Sequence, residues 1–289
     1  MSPVLILGAR SWIGFRLTDA ALTNQGSALV EGTTSSPNLK PVDERQPNFY
    51  FAQSSEDFIK IIKHKKYQTV INLLRGEDTA GLEIHQQVAT ECFKQGIKYV
   101  YASSALALDG YGFDDVLTED LSAKSITPYG QFKGACENYL KEFYPRANWL
   151  VLRFSSIQGW SPWKPSRNEA FLNKLRESQV VKVSRGIKQN RLYDQVFAQA
   201  VMHLINLPQN QGVFHLGTLD HSEELNFLKS VASAFGYNPS LVQADSEKRV
   251  NLVLSCERLH QLTSRQWAQT EVQTIDALLQ EPHLNALKK

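Results

Sequence analysis

Cysteine is scarce in this chain: the 289 residues hold three (Cys92, Cys136 and Cys256), with no CxxC pair. That excludes a disulfide-stapled scaffold and suits a reducing compartment. An excess of one charge is missing as well. The 31 basic and 29 acidic side chains leave a formal net charge of +2, which gives no electrostatic footprint for nucleic acid. No apolar window approaches the roughly 18 residues of a membrane span. The start, Met1-Ser2-Pro3 followed by the apolar run Val4 to Leu7, has neither the basic opening nor the apolar length of a secretory signal. A cytoplasmic protein with no membrane contact is expected. The histidines at 64, 85, 203, 215, 221, 260 and 283 are scattered, without HExxH spacing, so no metal site is expected. There is also no GxSxG elbow and no lysine-ended phosphate loop, which removes two further chemistries.

What the chain does have is alternation. Short apolar runs at 4–7, 29–30, 49–51, 69–73, 98–102 and 149–154 read as strands. Between them, helical periodicity occupies 13–22 (ending near Gly26), 58–64, 84–95 and 129–144. Strands separated by amphipathic helices predict βαβ units on a parallel sheet, and strands apolar throughout predict a sheet covered on both faces. After residue 155 the pattern loosens. Gly159 to Pro165, with Trp160 and Trp163, reads as a surface loop. Helical stretches then follow at 168–177, 194–206 and 223–235, with a late strand at 213–216. The expected architecture is a dinucleotide-binding part over 1–155, rejoined by a late strand near 182–218. A smaller, mixed substrate-binding part would span 156–181 and 219–289.

Three local patterns carry chemistry. Gly8-Ala9-Arg10-Ser11-Trp12-Ile13-Gly14 follows the first strand and opens the first helix. There a tight turn and free helical N–H groups can receive a pyrophosphate. Ser11 stands where the middle glycine of GxxGxxG would be. At the end of the second strand, register puts Thr33, with Thr34, Ser35 and Lys40 nearby, where a carboxylate would select the unphosphorylated cofactor. Glu31 is close but is read as facing the other side of the strand. Hydroxyls without an acid favour NADP(H) over NAD(H). Finally, Tyr129 and Lys133 lie four residues apart on one helix face, and Ser104, 25 residues upstream, ends the strand over 98–102. An ammonium and a cationic nicotinamide would bring the tyrosine pKa toward the working pH, while the serine orients a substrate oxygen.

These residues resemble an extended short-chain dehydrogenase/reductase, nearest the dTDP-4-dehydrorhamnose reductase-like branch of the NAD-dependent epimerase/dehydratase group. The likeness runs nearly end to end. It is carried by Tyr101 to Gly110, by Pro128-Tyr129-Gly130-Gln131-Phe132-Lys133 with Glu137, and by Leu152-Arg153-Phe154 through Gly159. It continues in Gly212 to Gly217, Arg249-Val250-Asn251-Leu252 and Ser255 to Leu259. The resemblance implies an α/β, Rossmann-type doubly wound parallel sheet with a smaller mixed C-terminal part. It makes Ser104, Tyr129 and Lys133 the catalytic set, and Gly8, Arg10, Ser11, Trp12, Ile13 and Gly14 the pyrophosphate turn. Leu73, Leu74 and Arg75 would flank the adenosine ribose, and Phe154 would line the nicotinamide. Ala105 and Leu106 replace the acidic pair of the sugar dehydratases, which disfavours dehydration. The implied activity is NAD(P)-dependent hydride transfer at a carbonyl or hydroxyl carbon of a sugar nucleotide or related small molecule, in a monomer or homodimer. An epimerase with tightly held cofactor and a non-catalytic dinucleotide-binding regulatory subunit stay open as alternatives.

Overall fold

The structure is a computed structural model and describes residues 3–25, 30–36, 48–207 and 210–289. Gly26, Leu29 and Lys40 lie outside the described residues. In chain order, the first half contains β1 (Val4–Leu7), α1 (Trp12–Gln25), β2 (Val30–Thr34), β3 (Asn48–Phe51), α2 (Ser55–His64), β4 (Thr69–Asn72) and α3 (Thr79–Lys94). Next come β5 (Lys98–Ala102), α4 (Pro128–Lys141), β6 (Trp149–Phe154), β7 (Ser156–Gln158), α5 (Arg167–Arg176), β8 (Val181–Gln189) and β9 (Arg191–Tyr193). The chain closes with α6 (Asp194–Asn206), β10 (Gly212–Leu216), β11 (Ser222–Glu223), α7 (Glu224–Ala234), β12 (Val242–Leu252), α8 (Glu257–Leu262), α9 (Glu271–Gln280) and α10 (Pro282–Asn285).

The fold is α/β and Rossmann-type. Seven parallel strands form one sheet in the order β10-β6-β5-β4-β1-β2-β3. Side-chain alternation explains why β1 is apolar throughout. Val4 and Ile6 enter one core with Leu17 and Ala21 of α1 and Phe197 and Val201 of α6. Leu5 and Leu7 enter another with Phe58 of α2, Val88 of α3 and Cys136 of α4. A strand covered on both faces has no polar side to show. From β1 the chain runs outward to β2 and β3, then returns to β4 on the other side of β1. The connections diverge there, which opens a crevice at the carboxyl ends of β1 and β4.

The C-terminal part packs Leu172 of α5, Val231 of α7 and Leu278 of α9 into its own core. Its sheet, in the order β11-β8-β12, includes a long parallel pairing of β8 with β12 that has two register shifts. β12 was not expected, and of the 182–218 stretch expected to rejoin the first part only β10 enters the seven-stranded sheet, whereas β8 pairs here. Gln243 to Arg249 are all exposed in β12, so no apolar alternation marks it. The helix expected over 84–95 starts earlier, at Thr79, because the Asp78 side chain caps it by accepting from Gly81 N.

Candidate active site

The glycine turn is held by contacts that only glycine allows. Gly8 leaves β1 with φ +78°, in the left-handed region. A Cβ on Gly14 would lie 2.4 Å from the Gly8 carbonyl oxygen, so α1 could not start where it does with any larger residue. Ser11 compensates for the missing middle glycine by capping the helix. Its Oγ accepts from Gly14 N at 3.0 Å and its carbonyl from Phe15 N at 2.8 Å. Trp12 and Ile13 therefore present their N–H groups at the positive end of α1, ahead of the first intrahelical bond. The Arg10 guanidinium lies 5.3 Å from the Phe49 ring centroid and 4.2 Å from that of Trp163.

Thr33 turns out to brace this turn from behind. It is 1% exposed, and its Oγ1 accepts from Gly8 N at 3.0 Å while its carbonyl accepts from Ala9 N at 3.1 Å. Its hydroxyl oxygen is thus engaged by the protein's own backbone, buried at the base of the turn. Glu31 needs a correction too: two residues from Thr33 on the same strand, it shares the Thr33 face. Its carboxylate is consumed there, accepting from Tyr50 Oη at 3.1 Å and also from Tyr67 and Lys65. Burial alone would raise its pKa, but those bonds hold it below the usual carboxylate range. Half-buried Thr34 and exposed Ser35 carry the remaining hydroxyls at the strand end. Ser35 lines a cavity of about 320 Å³ with Ala52, Gln53, Asn72, Leu74 and Arg75.

The turn after β4 is shaped by Asn72, whose Oδ1 accepts from Leu74 N at 2.8 Å and whose Nδ2 donates to Tyr99 Oη at 2.6 Å. Leu73 and Leu74 are half-buried over the two cores. Arg75 is exposed, paired with Glu77, and sits 5.4 Å from the Tyr129 ring centroid.

Ser104 follows β5 directly. It is 9% exposed, and its Oγ accepts from Leu106 N at 3.2 Å, capping a short 3-10 turn over Ala105–Leu108. The segment before α4 is tied to this turn by Asp109, which accepts from Ile126 N and from Thr127 Oγ1, both at 2.8 Å. Thr127 in turn caps α4, and Pro128 opens it. Gly130 makes the closest approach: a Cβ there would lie 2.0 Å from the Leu106 carbonyl oxygen. The glycine between Tyr129 and Lys133 thus seats the start of α4 directly on the Ser104 turn.

Tyr129 is half-buried, and burial raises its pKa, against the positive charge of Arg75, which lowers it. That direction is opposite to the lowering expected from the sequence. Lys133 is 3% exposed and donates from Nζ to the Ala102 carbonyl at 2.8 Å, 5.5 Å from the Tyr129 ring centroid. Burial pushes its pKa down to about 8. Behind them, Arg153 and Glu137 form an ion pair in which both side chains are fully buried, and Ser103 Oγ donates to Glu137. His215 sits in the buried β10, where burial pushes its pKa down to about 3, and its Nδ1 lies 3.0 Å from the Ser255 carbonyl. It is a packing residue. Phe154 packs edge-on against Phe197, ring centroids 4.8 Å apart, on the core shared with α1 and α6.

One residue at this site went unseen in the sequence. Asp194, 1% exposed at the start of α6, accepts from Trp12 Nε1 at 2.8 Å, Arg16 Nε at 2.9 Å and Trp160 N at 3.2 Å. Its partners are too far away in sequence for any local pattern to show. Among the described residues no group of three or more His, Cys, Asp or Glu side chains could hold a metal ion, and no helix is long and apolar enough to cross a membrane.

A parallel sheet with a glycine turn after its first strand and a serine, tyrosine and lysine gathered beyond its fifth defines a Rossmann-type α/β protein. The chain belongs to the family described as the RmlD substrate binding domain, which matches residues 1–277. Among solved structures it is similar to dTDP-glucose 4,6-dehydratase from Bacillus anthracis in complex with NAD, at 17% identity, TM-score 0.80 and full coverage of both chains. It is also similar to UDP-glucose 4-epimerase of Thermus thermophilus in complex with NAD, at 20% identity and TM-score 0.78, covering 95% of this chain and 98% of that one. A third likeness is to dTDP-4-dehydrorhamnose reductase of Bacillus anthracis in complex with NADP, at 14% identity and TM-score 0.74, covering 96% and 98%. At these identities the likeness establishes the fold. No curated protein sequence matches the chain.

Proposed function

We propose that this protein is an NAD(P)-dependent oxidoreductase that works at a carbonyl or hydroxyl carbon of a sugar nucleotide, with NADP(H) as the preferred cofactor. The observation that carries the reading is the seating of Gly130 on the Leu106 carbonyl, which sets Tyr129 and Lys133 against the Ser104 turn. The dinucleotide would lie with its pyrophosphate at the N–H groups of Trp12 and Ile13 and its adenosine in the cavity between Ser35 and Arg75. Once bound, it supplies or accepts the hydride. The chain's own residues manage the proton. Tyr129, kept protonated at neutral pH by burial, donates to the carbonyl oxygen during reduction. Ser104 Oγ accepts from Leu106 N and keeps its own O–H free to donate to the same substrate oxygen. Lys133 spends one of three N–H groups on Ala102, leaving two for the cofactor ribose and the tyrosine.

Cofactor preference rests on the acid at β2. Glu31 is engaged by Lys65, Tyr67 and Tyr50, so among the described residues of β2 no carboxylate is left free to repel a 2′-phosphate. The substrate class is supported by the neighbours, whose names are those of sugar-nucleotide enzymes. The buried Ala105, where dehydratases carry an acid by resemblance, favours redox chemistry over elimination.

Titration with NADPH and NADH, then a screen of sugar nucleotides for NADPH consumption, tests both parts. NADPH should bind more tightly. Tyr129→Phe should lose about 10²–10⁴-fold in turnover with NADPH affinity near wild type. Wild-type turnover by the phenylalanine variant would refute the assignment. A dinucleotide that co-purifies and is never released would instead identify an epimerase.

A further inference from the structure

The buried carboxylate of Asp194 joins the start of α1 to the loop after β7. Trp12 is the first residue of α1, and its indole N–H is held by Asp194 Oδ2 at 2.8 Å. The same oxygen takes Arg16 Nε, one helical turn on, and the backbone N–H of Trp160 in the loop after β7. Gly159, at φ +152°, bends around it: a Cβ there would lie 2.1 Å from Asp194 Oδ2. The loop so fastened carries Trp163, whose ring lies under the Arg10 guanidinium, and both Trp160 and Trp163 meet the Phe15 ring edge-on at centroid distances near 6.5 Å. On its far side Trp160 stacks on His283 at 3.7 Å.

Resting on the dinucleotide site proposed above, we infer that Asp194 is a positioning residue for cofactor binding. It fixes the direction in which the first residues of α1 present their N–H groups, and it ties that direction to the 159–163 loop, which covers the turn. Three donors from two segments converge on a single oxygen, while Oδ1 is buried with no hydrogen-bond partner among the described residues. A carboxylate kept only for stability would gain by spreading its donors over both oxygens. Glu281, the other partner of Arg16 at 2.8 Å, serves as contrast. It accepts from Arg16 and from Tyr193, but the hydrogen bonds from Trp12 and Trp160 go to Asp194.

The test compares three variants of the full chain: Asp194→Ala, Trp12→Phe and Glu281→Gln. Each is measured for Tm and for the NADPH Kd of the folded protein, read by quenching of tryptophan fluorescence and by calorimetry. Asp194→Ala and Trp12→Phe should each weaken NADPH binding on the order of tenfold, the effect of one lost hydrogen bond to a charged group. Glu281→Gln should lower Tm and leave Kd unchanged. Trp12→Phe is the decisive variant, because it keeps a ring in place and removes only the donor. Folded Asp194→Ala and Trp12→Phe proteins with wild-type Kd would overturn the positioning role, and so would an equal loss of affinity in Glu281→Gln. A wild-type protein that binds neither NADPH nor NADH would overturn the dinucleotide site itself, which is a separate failure.

Discussion

Gly130→Ala isolates the contact on which the active-site assignment depends. In an exposed helix interior this change would stabilise, since alanine is favoured over glycine by about 1 kcal/mol. Here the new Cβ would stand 2.0 Å from the Leu106 carbonyl oxygen and 2.1 Å from Ser125 Oγ, whereas real Cβ contacts essentially never fall under 3.0 Å. Ser125 can rotate away, but the carbonyl belongs to the backbone of the turn that Ser104 caps. The start of α4 and that turn must therefore separate by about 1 Å. Overpacking of this kind costs about 1–3 kcal/mol, and a backbone obstacle puts the cost at the upper end. After the helix-propensity gain the net loss is about 2 kcal/mol, a Tm decrease of about 3–4 °C for a chain of this size. The catalytic cost should be larger. A displacement of about 1 Å between reacting groups is worth about 10²-fold in rate, so kcat/KM for NADPH-dependent reduction should fall by about that factor in protein that is still folded. Gly96→Ala is the control. It has φ +69° with nothing within 4 Å, and should cost about 1 kcal/mol in backbone strain with no change in kcat/KM. If Gly130→Ala matches wild type in both Tm and kcat/KM, α4 does not seat on the Ser104 turn as described.

Two further predictions concern the groups behind Tyr129. Lys133, pushed down to about 8 by burial, is charged below that pH and neutral above it, so kcat/KM for reduction should decline as pH rises through about 8. Stability should respond in the opposite sense. Between about 8 and the ordinary lysine value the folded state binds fewer protons than the unfolded one, so the Lys133 contribution to stability rises with pH. A kcat/KM profile flat from about pH 7 to 9.5 would refute the role of the lysine charge. For the Arg153–Glu137 pair, both side chains 0% exposed, Arg153→Met should cost about 3–5 kcal/mol by stranding a buried carboxylate. The double variant with Glu137→Leu should recover part of it, so strictly additive losses in urea unfolding would contradict the pairing.

How far the sequence could be read follows from where each residue finds its partners. The buried strands were legible because a sheet covered on both faces needs side chains that are apolar at every position, as in Val4 to Leu7. The Tyr129–Lys133 spacing was legible because helix geometry alone puts residues four apart on one face. Thr33 was misread at the level of roles: register located it at the end of β2, but only the fold reveals that the Gly8 N–H claims its hydroxyl. Glu31 was misread through a simple periodicity, since residues two apart on a strand share a face, and its capture by Lys65 and Tyr67 removes it as a free acid by another route. β12 was invisible because seven successive residues of it are exposed, so its pairing with β8 rests on backbone hydrogen bonds, which any sequence can make. Asp194 is the extreme case. Its donors lie 182, 178 and 34 residues away, and a local window sees only an acidic residue at a helix start, where the macrodipole alone would account for it. What brings that acid onto the start of α1 is α1 and α6 packing side by side on one face of the sheet. Sequence periodicity predicts such a face, but not which side chains meet across it.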